Sequence, residues 1–279
     1  MKKQYHLALI TGGSSGIGLA LAKALAKEGV NIGLLARDEA RLAQAKEAVQ
    51  ALTVQPDQKV SALSVDITDY EALAAKLGAW QTENGLPDLV INSAGVTYPG
   101  YFEQLDVEIF HWLMDINYFG TLHVCKLLAP GMMEQGAGTI VNISSQAGFL
   151  GVFGYTGYCA SKFAVRGFSD ALRSELKPHG VQLSVVFPPD TQTPQLEFED
   201  PLKPFETREL AGTVHAMSAD AVAGEILKGV RKGKYVVIPG GGGKFFYRLT
   251  SILGNLTYPV IDMLVRQAQK KKKNGKASQ

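Results

Sequence analysis

The chain is poor in cysteine and in charge. Two cysteines, Cys125 and Cys159, stand among 279 residues. They give no disulfide framework and no metal-ligand cluster. Charged residues are 19% of the chain, and the formal net charge is +2. Long apolar runs are also missing, since none reaches the ~20 residues of a membrane-spanning helix. Residues 2 to 10 carry charge and then only a short apolar stretch, which reads as a first strand rather than a secretory leader. A cytoplasmic protein is expected. No internal repeat is present. Nucleic-acid partners are not expected either: the chain before Leu264 is net acidic and holds no binding motif.

Hydrophobic residues, at 46%, are enough for a sizeable core. Apolar strand candidates fall at 7–10, 30–36, 60–65, 88–92, 138–143, 182–187 and 235–238. Helix candidates lie between them, near 17–28, 38–51, 69–84, 106–133, 157–178 and 218–231. This alternation predicts a single α/β domain over 1–239, a Rossmann-type doubly wound parallel sheet of seven strands with helices on both faces. Right-handed crossovers bring the strand C-terminal ends around one crevice. In the helix near 157–178, Phe163, Ala164, Phe168, Ala171 and Leu172 read as the buried stripe.

The first strand runs into Thr11-Gly12-Gly13-Ser14-Ser15-Gly16-Ile17-Gly18, and apolar residues then recur at helical spacing. Strand, glycine turn and helix form the context of a dinucleotide-binding turn. Gly12 permits the tight turn, Gly16 lets the backbone approach a pyrophosphate, and Gly18 allows close helix–strand packing. The helix N-terminus offers free N–H groups to the phosphates. Selectivity for NAD would place an acid at the end of the second strand, where Ala36 stands. Arg37 follows it, and a guanidinium suits a 2′-phosphate. Ser14 and Ser15 can donate to the same group, so NADP(H) is the expected cofactor. Asp38 reads as the cap of the next helix.

Tyr158 and Lys162 stand four apart, on one face of the predicted helix. A phenol titrates near ~10, and an adjacent ammonium lowers that value. The pair is a proton donor and acceptor for carbonyl-to-alcohol chemistry. Tyr155 lacks a cation four residues on, where Cys159 stands.

Together these motifs resemble the short-chain dehydrogenase/reductase family. The glycine turn matches the family's T-G-x-x-x-G-x-G, and Asn92-Ser93-Ala94-Gly95 matches its N-x-A-G. The resemblance implies a tetrad of Asn117, Ser145, Tyr158 and Lys162, with Ser144 as the alternative serine. It implies that Tyr158 protonates the alkoxide, Ser145 orients the carbonyl, Lys162 holds the nicotinamide ribose, and Asn117 anchors a proton-relaying water. Thr11, Ile17, Asn92, Ala94, Gly95, Pro188 and Thr191 join the cofactor site, and Asp66 with Ile67 meets the adenine. The helix carrying Tyr158 commonly pairs between family subunits, which implies a homo-oligomer.

After the sixth strand, Pro188-Pro189-Asp190-Thr191-Gln192-Thr193-Pro194, then Pro201 and Pro204, predict a substrate lid over about 188–215. This stretch, with Ser144 to Gly148, Phe153 to Tyr158 and Ser161 to Gly167, resembles the 3-ketodihydrosphingosine reductase branch. That implies a lipid-like long-chain ketone as substrate. Other carbonyl classes of the family stay open: a 3-oxoacyl thioester, a steroid or a small aldehyde. So does a non-enzymatic NADP-binding scaffold.

From 240 to 279 the character changes. Gly240 to Gly243 read as a hinge, followed by an apolar-aromatic segment and then Lys270 to Lys273 and Lys276. The residues from Leu264 onward carry +6, against −4 before them. Such a segment suits peripheral contact with an anionic membrane at the cytoplasmic face. A helix packed on the domain with a solvated tail is the alternative.

Overall fold

A computed structural model of the chain describes residues 4–212 and 216–276, without the side chains of Ala211 and Lys276. Residues 213–215 of the expected lid, residues 277–279 of the tail and the Lys276 side chain lie outside this description.

All seven strand candidates form. In chain order the first half runs β1 (Leu7–Thr11), α1 (Gly16–Ala26), β2 (Asn31–Ala36), α2 (Glu39–Gln50), β3 (Val60–Ser64), α3 (Tyr70–Asn84) and β4 (Leu89–Asn92). Then come α4 (Val107–Met114), α5 (Gly120–Gln135), β5 (Gly138–Ile143), α6 (Thr156–Leu176) and β6 (Val181–Val186). A short β7 (Thr191–Gln192), α7 (Pro194–Glu199), α8 (Phe205–Ala211) and β8 (Met217–Ser218) follow. The chain continues with α9 (Ala219–Val230), β9 (Val236–Val237), α10 (Gly241–Leu253) and α11 (Thr257–Lys276).

The main sheet has the order β3-β2-β1-β4-β5-β6-β9, parallel throughout. The order reverses at β1 and β4, so their C-terminal ends frame the crevice. One apolar layer, under α1, α2 and α9, includes Leu21, Leu25, Leu42 and Ile226. The opposite layer includes Leu73, Leu77, Val124 and Leu128, from α3 and α5. Sheet residues such as Leu9, Ile10, Leu34 and Leu35 are fully buried, which is why these strands read as continuous apolar runs. Asp38 caps α2 as expected, its carboxylate accepting from Arg41 N at 2.9 Å.

Two sequence expectations are corrected. The helix predicted near 106–133 is broken: a π-turn at Asp115–Phe119 separates α4 from α5. The inserted turn carries Asn117, and such bulges concentrate at functional positions. The buried stripe of α6 is only partly as expected: Phe168 and Leu172 pack against the core. Phe163 is 42% exposed and Ala171 is exposed, whereas Ser161, Lys162, Val165 and Ser169 are buried. The small hydroxyl residues bond inward, Ser169 Oγ accepting from Asn142 Nδ2 at 2.9 Å and Ser161 Oγ from Asn117 Nδ2 at 2.9 Å. These bonds turn an apolar edge of α6 outward.

Of the four glycines read as a hinge, only Gly240 has a positive φ; the other three begin α10. The segment beyond them docks on the domain. Tyr247 packs edge-on against Phe149, with ring centres 5.0 Å apart, and Ala268 is buried. Lys271 pairs with Glu209 at 2.9 Å, and Lys272 with Glu206 at 3.2 Å, joining α11 to α8. Yet Phe245, Ile252, Leu256 and Tyr258 stay more than half exposed. No helix among the described residues is long and apolar enough to cross a membrane.

Candidate active site

The glycine turn is fixed by close approaches. Gly12 has φ +64°, and a Cβ there would lie 2.8 Å from the Ala94 backbone. A Cβ on Gly18 would lie 2.4 Å from the Gly12 carbonyl oxygen. Only glycine brings β1, the turn and the β4 loop this close. Thr11 joins the same elements: its Oγ1 accepts from the amides of Ser93 and Ala94, both at 3.1 Å. Ser15 precedes α1 in an extended conformation, and its side chain makes no capping hydrogen bond. The N-terminal amides of α1 are left for an anionic group. These features fit a dinucleotide.

A cavity of about 410 Å³ runs from this turn to the end of β5 and the start of α6. Gly12, Ser15 and Gly16 line one part, and Ser145, Tyr158 and Lys162 another. Ala94, Gly95, Ile17, Pro188 and Thr191 complete the wall on the sheet side. The two serines diverge. Ser144 is buried, with Oγ donating to the Lys162 carbonyl oxygen at 2.9 Å. Ser145 lines the cavity with Tyr158, and its Oγ accepts from Ala147 N at 3.2 Å.

Burial raises the Tyr158 phenol above its ordinary range; Ser145 hydrogen bonding opposes this, Glu199's charge adds to it, and Gln195 hydrogen bonding lowers it. The net shift is upward, against the lowering expected from Lys162. Lys162 Nζ lies 5.6 Å from the Tyr158 ring centre and donates to the Ile143 carbonyl at 3.2 Å. Burial lowers the Lys162 ammonium to about 8. Asn117 stands behind the pair. Its Oδ1 accepts from Val96 N at 2.8 Å and its Nδ2 donates to Val96 O at 2.9 Å. A Cβ on Gly95 would lie 3.1 Å from that Oδ1 and 3.2 Å from Lys162 Nζ, so the glycine keeps all three adjacent.

Some candidate residues stand apart from the cavity wall. Asn92 is buried and donates to Asn142 Oδ1 at 2.9 Å, joining β4 to β5. Asp66 accepts from Thr68 N and Oγ1, at 2.9 and 2.8 Å. Its carboxyl is lowered: burial opposes the shift, and the Thr68 bonds and the Arg37 guanidinium outweigh it. Arg37 pairs with Asp66 at 3.4 Å, both well exposed, at the ends of β2 and β3. The Ile67 carbonyl bonds His123 Nδ1 at 2.8 Å while its side chain is buried. Ser14 is half-buried in the turn.

Within the segment expected as a lid, the sequence singled out no individual side chain as part of the wall beyond Pro188 and Thr191. Gln195, Leu196, Glu199 and Lys203, from α7 and the turn after it, line the cavity with Tyr155. Glu199 and Lys203 are both buried, with Nζ 3.4 Å from Oε1. Their four-residue spacing inside the proline-rich segment was a signal that the sequence offered.

Over residues 6–201 the sequence matches the short chain dehydrogenase family. A 3-ketodihydrosphingosine reductase of Mus musculus is 39% identical over 250 residues, 89% of this chain and 75% of that protein. One of Dictyostelium discoideum is 38% identical over 241 residues, 81% of this chain and 72% of that protein. A solved short-chain dehydrogenase from Sphingobium yanoikuyae, in complex with NADPH, superposes with TM-score 0.75. It is 29% identical and covers 90% of this chain and 95% of its own. The chain therefore belongs to the short chain dehydrogenase family and is an oxidoreductase acting on C=O and CH–OH groups.

Proposed function

We propose that the chain reduces a ketone on a long-chain lipid with NADPH, and that Tyr158 is the general acid. The observation that carries this reading is a buried phenol that shares one cavity with the glycine turn. Burial keeps the phenol protonated at neutral pH, the form a proton donor needs. The names of the mouse and Dictyostelium relatives support a 3-ketodihydrosphingosine-like substrate.

The bound nicotinamide supplies the hydride. Tyr158 gives its proton to the developing alkoxide, and Ser145 donates a hydrogen bond to the same oxygen. Lys162 holds the ribose and favours the phenolate left behind. Asn117 keeps the Val96 strap in place and anchors the water that returns a proton. Gly12, Gly16 and the start of α1 receive the pyrophosphate. Arg37 leaves Asp66 for the 2′-phosphate, with Ser14 and Ser15 beside it. Asp66 and Ile67 border the adenine, Asn92 braces the β4 loop, and Pro188 with Thr191 borders the nicotinamide.

Two contacts accompany this reading. The exposed apolar residues of α10 and α11, next to Lys270 and Lys273, suit the surface of an anionic membrane. The outward Phe163 of α6 and the exposed Phe119 suit a second copy of the chain.

NADPH oxidation against a ketone panel tests the function. The panel comprises a long-chain 3-keto amino alcohol, a 3-oxoacyl thioester, a steroid ketone and a small aldehyde. The long-chain ketone is expected to give the highest kcat/KM. Preference for any other member overturns the substrate assignment.

A further inference from the structure

Two carboxylates line the cavity, Asp190 and Glu199. Asp190 is exposed, whereas Glu199, at the last residue of α7, is only 6% exposed. A buried carboxylate is costly unless a cation answers it. Lys203 answers only in part. Its Nζ lies 3.4 Å from Glu199 but 2.6 Å from Asp200, so one ammonium is shared between two acids. The other cavity ammonium, Lys162, is committed to the Ile143 carbonyl.

The remaining neighbours of Glu199 are two hydroxyls and the like charge of Asp190. Burial raises its carboxyl; Thr97, Lys203 and Tyr155 each oppose that shift, and Asp190 adds to it. The Thr97 hydroxyl is buried and outside formed hydrogen-bond geometry. The Tyr155 ring lies 5.7 Å from the Tyr158 ring, and the Glu199 charge reaches both phenols. The acid therefore lines the same cavity as Tyr155, and as Tyr158 and Ser145, the groups that would meet the ketone oxygen. A cation one carbon from a ketone in that cavity would find Glu199 as its buried carboxylate.

We propose that Glu199 determines specificity by receiving the ammonium of a long-chain 2-amino ketone while the ketone oxygen rests on Tyr158 and Ser145; this rests on the long-chain ketone reading above. Desolvated by the cavity wall and sharing Lys203 with Asp200, the carboxylate gains a counter-charge of its own only when the substrate carries one. A ketone of equal length without the amine leaves it only partly compensated, and such a mismatch is where polar sites discriminate most strongly.

The test compares two ketones of equal chain length, a 2-amino-3-ketone and its des-amino counterpart, with wild type and Glu199→Gln. Wild type is expected to prefer the amino ketone. In Glu199→Gln the ratio of the two kcat/KM values is expected to fall roughly 10- to 100-fold, the equivalent of one charged hydrogen bond. Glu199→Asp is expected to recover part of that ratio. An unchanged ratio in Glu199→Gln, whatever the overall rate, assigns the residue to structure and overturns the proposal. Equal use of both ketones by wild type also overturns it, while the long-chain reading survives. If wild type reduces neither ketone, the long-chain reading fails and takes this proposal with it. Calorimetry on wild type loaded with NADP+ is independent of the variant's folding: a long-chain 2-amino alcohol is expected to bind at least about tenfold tighter than its des-amino analogue. Equal binding overturns the assignment.

Discussion

Ser144 Oγ donates to the carbonyl oxygen of Lys162, at 2.9 Å, and so ties the end of β5 to the middle of α6. Its neighbour Ser145 has the opposite orientation, toward the cavity and Tyr158. Adjacent hydroxyls thus differ in placement, and substitution tests whether they differ in task. Ser145→Ala is expected to lower kcat by about 10²–10³-fold, as for loss of one oxyanion donor. Ser144→Ala is expected to cost about 1 kcal/mol of stability and much less turnover. Steady-state kinetics with denaturant unfolding checks both, and the reverse pattern would give the catalytic task to Ser144.

Tyr158→Phe removes the proton and keeps the ring. Turnover should drop by about 10²–10⁴-fold, the usual contribution of a general acid. Binding of NADPH, followed by its fluorescence, should persist. Near-normal turnover in this variant would sink the assignment.

Arg37 is exposed, and among the described residues its side chain pairs only with Asp66, at 3.4 Å, so little holds it back from a phosphate. Arg37→Ala is expected to weaken NADPH binding by roughly 1.5–3 kcal/mol and to change NADH binding far less. Titration of the two cofactors gives the comparison; equal losses would make the residue structural.

Lys162 links stability to pH. Burial lowers its ammonium from 10.5 to about 8. Between those values the unfolded chain keeps a proton that the folded chain has released, so stability rises with pH across the window. Lys162→Met lacks this slope. In the cofactor-free protein, wild-type stability relative to Lys162→Met should grow by about 2–3 kcal/mol from about pH 7 to about pH 10.5. Paired denaturant unfolding at the two pH values measures it, and a flat difference would show that the ammonium is not desolvated.

The lysines of α11 are unequal. Lys271 and Lys272 pair with Glu209 and Glu206, whereas Lys270 and Lys273 have no ion pair among the described residues. Lys270→Gln with Lys273→Gln should weaken sedimentation with anionic vesicles by about 1 kcal/mol per residue, with the loss shrinking at high salt. Wild type remaining in the supernatant at low salt would end the membrane reading.

The fold was legible because a parallel sheet buried on both faces writes its strands as apolar runs. Tyr158, Lys162 and the glycine turn were legible because their spacing is local. Other features depend on contacts that no window of sequence contains. Glu206 and Glu209 meet lysines 66 and 62 residues away. Phe163 faces outward because Ser161 and Ser169 find amide partners on other elements, which hydropathy cannot register. The π-turn at Asn117 adds a residue to a helical period without altering its composition. For Glu199, the prolines mark an ordered segment but not the direction of its side chains.

The short strands β7 and β8 pair in parallel, Thr191 with Met217 and Gln192 with Ser218. Both ends of the segment carrying α7 and α8 are therefore stapled at one place beside the sheet. Such a segment is an interchangeable cassette: its length and side chains can change while the staple and everything beneath it keep their register. Altered substrate preference, with cofactor affinity intact, can therefore arise from exchanges confined to that one loop.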